Sequence, residues 1–246
     1  MSFSEGVRRL ITRAEKINSR LILALDVYSS ELGDSCRFDI FRKADELLSA
    51  LKSYVVGVKI GLPTTLYLGL DKVKELIDSH REYFFIADFK LADIGYIDKI
   101  LCRFANSVGF DGIIAHSSIG YEGGLKEIVN EVHRWGGAVF AVVAMSHKGA
   151  EEFLNRHFLS LLNISLKAGV DGFILPATMP KYISSVRRRV GREKVILSPG
   201  VVKQGAKVGA AVRRGADFEI IGRGIYASED PVGKAREYSS ILRWSK

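Results

Sequence analysis

The amino-acid sequence predicts one α/β domain over residues 1–246, folded as a (β/α)8 TIM barrel with a short helix ahead of the first strand. Eight short, almost continuously apolar runs recur along the chain, as expected of strands buried on both faces of a parallel sheet. Segments with the apolar spacing of helices lie between these runs, and three connections repeat a Gly-x-Asp pattern before the next run. A doubly wound open sheet is the alternative, but eight units of nearly equal length favour closure.

The predicted strands and helices alternate along the whole chain. The strands lie at residues 21–25, 54–60, 83–87, 112–115, 138–144, 172–175, 194–197 and 218–221. The helices lie at residues 40–51, 63–77, 94–108, 125–135, 151–168, 179–190, 205–214 and 231–244. Several of these helices run into a glycine, which suits the left-handed position after a helix end. Residues 1–16 mix charges into an apolar pattern and predict a short amphipathic helix rather than a secretory signal.

Composition and charge narrow the class of protein. No apolar run reaches the roughly 18 residues of a membrane span, and Cys36 and Cys102 have no disulfide or zinc-site spacing. We therefore expect a cytoplasmic protein with no membrane partner. The net charge of +8 is compatible with nucleic acid or an anionic small substrate. Because the basic residues are scattered over predicted helices without interleaved aromatic residues, we expect no nucleic-acid partner.

Charged residues gather where the predicted strands end. Asp26 follows strand one, Lys59 closes strand two, and Asp88, Lys90 and Asp93 follow strand three. Side chains alternate along a strand, so Asp88 and Lys90 share a face. Each charge has a structural explanation by itself, such as a helix cap for Asp93. Five alternating charges at the rim that carries the chemistry of such barrels instead predict a catalytic site.

Two further strand ends predict a phosphate site. The eighth strand runs into Gly222 and Arg223, where backbone N–H groups at a helix start and a guanidinium suit an anion. The loop at residues 199–205 follows the seventh strand and is polar enough to serve as a lid. The loops after the last two strands are the usual phosphate site of these barrels.

These motifs together resemble the orotidine 5′-monophosphate decarboxylase family. DFKLAD at residues 88–93 resembles the D-x-K-x-x-D signature of that family and its wider suprafamily. The resemblance extends to LALD at 23–26, VKIG at 58–61, AMSHKGA at 144–150, SPGVVKQG at 198–205 and IIGRGIY at 220–226. It implies a homodimeric barrel that converts orotidine 5′-monophosphate to UMP and CO2 in the last step of pyrimidine synthesis, with no metal or organic cofactor.

The resemblance also implies a role for each matching residue. Lys90 would protonate C6 of the pyrimidine, Asp88 would lie against the substrate carboxylate, and Asp93 would reach across the dimer interface. Asp26 and Lys59 would bind the ribose and extend the charge chain. The remaining implied ligands are Ser146 at the pyrimidine edge, Gln204 between base and phosphate, Pro199 in the pocket wall, and Gly222 and Arg223 at the phosphate.

Three positions depart from the family pattern, and two other functions stay open. Ile97 stands where many members have a threonine that contacts the partner's ligand, and Val202 and Ala206 replace glycines of the lid. The first alternative is a Mg2+-dependent sugar-phosphate decarboxylase or lyase of the same suprafamily. The second is a basic, non-enzymatic binding protein, which predicts nucleic-acid affinity with a steep salt dependence.

Overall fold

The computed structural model describes residues 3–29 and 33–244 and confirms the predicted barrel. Eight parallel strands follow one another in chain order, and the last pairs with the first to close the barrel. The strands are β1 (Leu21–Leu25), β2 (Gly57–Gly61), β3 (Phe84–Leu91), β4 (Gly112–His116), β5 (Ala138–Val142), β6 (Gly172–Ile174), β7 (Val195–Pro199) and β8 (Phe218–Ile221). Each strand overlaps its predicted run.

The helices pack against the outside of the barrel, apart from the first, which packs on the residues inside it. They are α1 (Glu5–Ile17), α2 (Asp34–Leu51), α3 (Leu62–Leu68), α4 (Leu70–Ser79), α5 (Gly95–Val108), α6 (Lys126–Arg134), α7 (Phe158–Ala168), α8 (Pro180–Val190), α9 (Arg223–Tyr226) and α10 (Pro231–Ile241). The segment predicted as one helix at 63–77 is two helices, because Gly69 adopts φ +80° between them. That left-handed backbone ends α3 and starts α4 in a new direction. No helix of the described residues is both long and apolar enough to cross a membrane.

The apolar core has two layers, separated by the wall of the barrel. Side chains such as Phe84, Phe140 and Phe218 fill the interior, and Val7 and Leu10 of α1 belong to the same cluster. The alternate strand residues pack outward against the helices in a second cluster. Because α1 packs into the interior cluster with residues from several strands, the barrel interior is an apolar plug rather than a pore.

The helix predicted at residues 205–214 is wrong. The structure has turns there and only a 3-10 turn at Val212–Arg214. The fully buried carboxylate of Glu219 on β8 accepts hydrogen bonds from the backbone N–H groups of Gly209 (2.8 Å), Ala211 (2.9 Å) and Val212 (3.2 Å). These N–H groups are therefore satisfied by a side chain of the barrel instead of by helical carbonyls.

Replacing Glu219 with alanine is expected to lower the free energy of unfolding by about 3 kcal/mol, because buried N–H groups lose a charged acceptor. Urea unfolding measures this change. Glu219→Gln keeps an acceptor of the same shape and should retain part of the stability. Glu229→Ala, which removes an exposed carboxylate, is the matched control. Equal stability of Glu219→Ala and wild type would show that the turns do not depend on this carboxylate.

Candidate active site

Four charged side chains at the carboxyl end of the barrel form one alternating chain. Lys59 Nζ lies 2.8 Å from Asp88 Oδ2 and 3.4 Å from Asp26 Oδ1. Lys90 Nζ lies 2.8 Å from Asp88 Oδ1. The order is Asp26, Lys59, Asp88, Lys90, so each carboxylate of the chain is engaged by a lysine.

The strand alternation brings these residues together. Lys59 lies between Val58 and Ile60, which both belong to the outer cluster, so its own side chain faces the barrel interior. Asp88 follows Ala87 of the outer cluster in the same way and pairs in register with Gly61 at the end of β2. Adjacent parallel strands therefore deliver a lysine and an aspartate to the same face at the same rim.

Lys90 does not continue the regular strand. Its φ is +46°, and the pairing of β3 with β4 shifts between Ala87 and Leu91. A non-glycine residue in the left-handed region stores conformational strain, which is common at functional sites. The Lys90 side chain is 42% exposed, whereas Asp88 beside it is 9% exposed. The irregularity thus places the ammonium group of Lys90 over the open end of the barrel.

The electrostatics hold the inner pair in its charged form. Burial by itself would lower the pKa of Lys59, but the adjacent Asp88 and Asp26 outweigh it and raise the pKa. Burial by itself would raise the pKa of Asp88, but Lys59 and Lys90 outweigh it and lower the pKa. Both groups are therefore ionised at neutral pH. Among residues 3–29 and 33–244, no group of three or more His, Cys, Asp or Glu side chains is arranged to hold a metal ion.

A cavity of about 360 Å³ opens above this charge chain. Its apolar wall includes Ile114, Val142, Ile174 and Ile220. The predicted site residues that line it are Asp26, Lys59, Asp88, Lys90, Ser146, Pro199, Gln204, Gly222 and Arg223. The sequence did not single out two more polar lining residues, Lys203 and Tyr226, although both lie within quoted motifs. The cavity thus has charged groups at its base and apolar residues along one wall, an arrangement typical of sites that bind small molecules.

The loop after β7 covers the cavity. Ser146 Oγ, after β5, donates a hydrogen bond of 3.4 Å to Gln204 Oε1. Val201 and Ala206 form an isolated bridge, and the N–H of Val202 donates to the carbonyl of Ala206 at 2.8 Å. Val202 has φ +65°, a conformation in which a β-branched residue is strained. The glycine that the family pattern has here would take this conformation without strain.

At the start of α9, the backbone of Gly222 lies close against β1. A Cβ atom on Gly222 would lie 3.0 Å from the carbonyl oxygen of Ala24, so a side chain there would crowd the backbone of β1. The carbonyl of Gly222 accepts hydrogen bonds from the N–H groups of Ile225 and Tyr226. Arg223 follows immediately, is exposed, and lines the cavity.

Comparison with known proteins identifies the family. Residues 19–238 match the family described as orotidine 5′-phosphate decarboxylase / HUMPS. The chain belongs to this family. The orotidine 5′-phosphate decarboxylase of Methanococcoides burtonii is 37% identical over 223 residues, which cover 91% of this chain and 96% of that protein.

Solved structures of the orotidine 5′-phosphate decarboxylase / HUMPS family have the same fold. The crystal structure of orotidine 5′-monophosphate decarboxylase from Sulfolobus solfataricus aligns with a TM-score of 0.77 at 33% identity, covering 91% of this chain and 97% of that one. The enzyme from Methanocaldococcus jannaschii, complexed with the inhibitor BMP, aligns with a TM-score of 0.75 at 28% identity, covering 91% of this chain and 98% of that one.

The second acid of the family signature, Asp93, stands apart from the cavity. Its side chain is exposed, and its Oδ1 accepts a hydrogen bond of 2.6 Å from the N–H of Ile94. Its own N–H donates to Asp98 Oδ2 at 3.2 Å. Within one chain the structure therefore brings together the other predicted site residues of the family but not Asp93.

Asp98 is a buried acid that sequence reasoning missed. It lies in the first turn of α5 and is 0% exposed, and no hydrogen-bond partner reaches its Oδ1. Burial raises its pKa to about 6, with the nearby Asp93 carboxylate acting in the same direction and the hydrogen bond from the Asp93 N–H opposing it. The sequence does not indicate this burial, because an aspartate in the first turn of an amphipathic helix is usually exposed.

The raised pKa of Asp98 predicts a pH dependence of stability. The folded state keeps this proton up to a pH of about 6, whereas the unfolded chain releases it near 3.8, so stability falls as the pH rises between these values. Two pKa units correspond to about 3 kcal/mol. Urea unfolding of wild type and Asp98→Asn at pH 4 and pH 7 measures this effect. The stability difference between the two proteins should change by about that amount, and a constant difference would contradict the assignment.

Proposed function

We propose that this protein decarboxylates orotidine 5′-monophosphate to UMP and CO2, the final step of pyrimidine nucleotide synthesis. The observation that carries the proposal is the Asp26–Lys59–Asp88–Lys90 chain under a 360 Å³ cavity, in a chain of the orotidine 5′-phosphate decarboxylase / HUMPS family. Relatives that are at least 30% identical over most of the chain bear the decarboxylase name.

The cavity has a complementary group for each part of the substrate. The phosphate would bind at Gly222 and Arg223, beside the lid. The pyrimidine would contact Ser146 and Gln204 against the wall formed by Pro199. Asp26 and Lys59 would bind the ribose hydroxyls. Binding energy from the phosphate, far from the reacting carbon, can hold the substrate against local repulsion at the other end.

The charge chain supplies the chemistry. The substrate carboxylate would lie beside the ionised Asp88, and two like charges at 4 Å repel by about 4 kcal/mol at an effective dielectric of 20. As the bond from C6 to the carboxylate breaks, neutral CO2 leaves, the electron pair stays on C6 and the repulsion disappears. Lys90 attracts the developing negative charge and then transfers a proton from Nζ to C6. Interactions that improve towards the transition state accelerate the step.

We further propose that the active form is a homodimer in which Asp93 enters the partner's site. Asp93 is exposed at the rim and outside its own cavity, as a residue contributed to a second chain would be. Large apolar side chains are exposed on the two neighbouring βα units, namely Leu62, Leu66, Leu70, Ile94 and Tyr96. Burial of these side chains between two copies would remove a large apolar area from water. We place this dimer in the cytoplasm, without a nucleic-acid or membrane partner.

An absorbance assay with orotidine 5′-monophosphate, with and without EDTA, tests the proposed reaction. We expect loss of the substrate absorbance and formation of UMP at the same rate in both conditions. Activity that EDTA removes and Mg2+ restores would instead support the sugar-phosphate lyase of the wider suprafamily. Absence of UMP formation in both conditions would contradict the proposal.

A further inference from the structure

The cations of the cavity differ in their partners. Lys59 and Lys90 are each in contact with a carboxylate of the charge chain. Arg223 and Lys203 line the same cavity, and neither forms an ion pair with any acid in the described part of the chain. The cavity therefore has two cations at the lid and α9 that are available to a ligand.

The lid packs on the start of α9, the helix that carries Arg223. A Cβ atom on Gly224 would lie 3.2 Å from Cβ and Cγ1 of Val202, so the Val202 side chain packs directly on the start of α9. The N–H of Val202 is tied to Ala206, and the N–H of Lys203 donates to the carbonyl of Val201 at 3.0 Å. Lys203 therefore directly follows Val202, the lid residue that packs on α9.

The charge of this pair matches a phosphate monoester. Such a group carries a charge of about −1.5 to −2 at neutral pH. A planar guanidinium can bind two of its oxygens, whereas an ammonium group on a flexible stem acts as a mobile point charge. The arginine at the start of α9 and the lysine on the lid would together balance the charge of the dianion.

We propose that Lys203 is a second phosphate ligand beside the arginine of α9, and that it increases the preference of the site for a nucleoside monophosphate over the nucleoside. The proposal rests on the proposed function and adds a specificity residue to it. In this proposal Lys203 contacts the charged phosphate. Its neighbour Gln204 keeps the hydrogen bond with Ser146 that the structure contains.

Binding of UMP and of uridine, measured by calorimetry in phosphate-free buffer, tests the proposal. Lys203→Gln should weaken UMP binding about tenfold, the scale of one charge-assisted hydrogen bond on an exposed loop, and should change uridine binding less than about twofold. Lys203→Arg keeps the charge and should bind UMP within about threefold of wild type. In steady-state assays Lys203→Gln should raise KM more than it lowers kcat.

Lys207→Gln is the matched control, because Lys207 is exposed in the same segment but does not line the cavity. It should leave both affinities unchanged. Equal weakening of UMP and uridine by Lys203→Gln would indicate a structural effect on the lid and overturn the proposal, as would unchanged UMP binding. The comparison of UMP with uridine does not depend on turnover, so its failure is distinguishable from failure of the decarboxylation assay.

Discussion

Replacing Lys90 with alanine is expected to lower kcat/KM for orotidine 5′-monophosphate by about 10⁴-fold. The ammonium group is both the proton donor and the cation nearest the developing carbanion in the proposed reaction. Loss of a general acid lowers rates by about 10² to 10⁴, and loss of one electrostatic contact in a preorganised site lowers them by about 10² to 10³. The two effects share one group and are therefore not independent. Release of CO2 or loss of substrate absorbance measures the change.

A measurement of stability separates the loss of catalysis in Lys90→Ala from unfolding of the variant. The Lys90 side chain is 42% exposed, so Lys90→Ala should unfold at nearly the same urea concentration as wild type. Lys43→Ala removes an equal charge from the outer face of α2 and should retain full activity. Turnover of Lys90→Ala within tenfold of wild type would exclude Lys90 as the proton donor.

Replacing Lys59 with methionine is expected to damage both stability and activity. The side chains of Lys59 and Asp88 are each 9% exposed, and Asp88 would keep a buried charge with only the more exposed Lys90 beside it. Breaking one partner of a buried ion pair costs about 3–5 kcal/mol, and we expect a loss in that range by urea unfolding. Activity should fall by several orders of magnitude, because Asp88 loses the neighbour that lowers its pKa.

The double variant Lys59→Met/Asp88→Asn distinguishes the two causes. Removing the buried charge of Asp88 should restore most of the stability, while activity should stay lost. The pH dependence adds a second check. Because the pKa of Asp88 is lowered below 3.8, its contribution to wild-type stability is present at neutral pH and is lost as the pH falls through the folded pKa. A single Lys59→Met variant as stable as wild type at pH 7 would contradict this account.

Sequence reasoning succeeded where the signal is local. Apolar runs predicted all eight strands, and a Gly-x-Asp connection precedes three of them. Strand alternation predicted that Asp88 and Lys90 share a face, and the structure pairs their side chains at 2.8 Å. It could not foresee that Lys90 leaves the regular strand at φ +46°, since that depends on the shifted pairing with β4.

It failed where a distant residue decides the local backbone. The segment at 205–214 has a helical pattern, but three of its backbone N–H groups donate hydrogen bonds to Glu219 on the next strand instead of to helical carbonyls. Asp98 gave no sign of its complete burial, because burial depends on the elements that pack over it. Gly69 interrupts a continuous helical pattern, because its left-handed backbone ends α3 and starts α4 in another direction.

For this protein, the order of residues along the chain was enough to establish the barrel, the rim at which its charges gather and the family to which they point. Covalent sequence sets strand period, helix spacing and motif identity, and these need no knowledge of distant contacts. Closure of the barrel decided the rest: that Lys59 lies between two carboxylates, that Lys203 and Arg223 line one cavity, and that Asp93 does not line it. Such distances join residues far apart in the chain, and only the packed strands bring them within reach of one substrate.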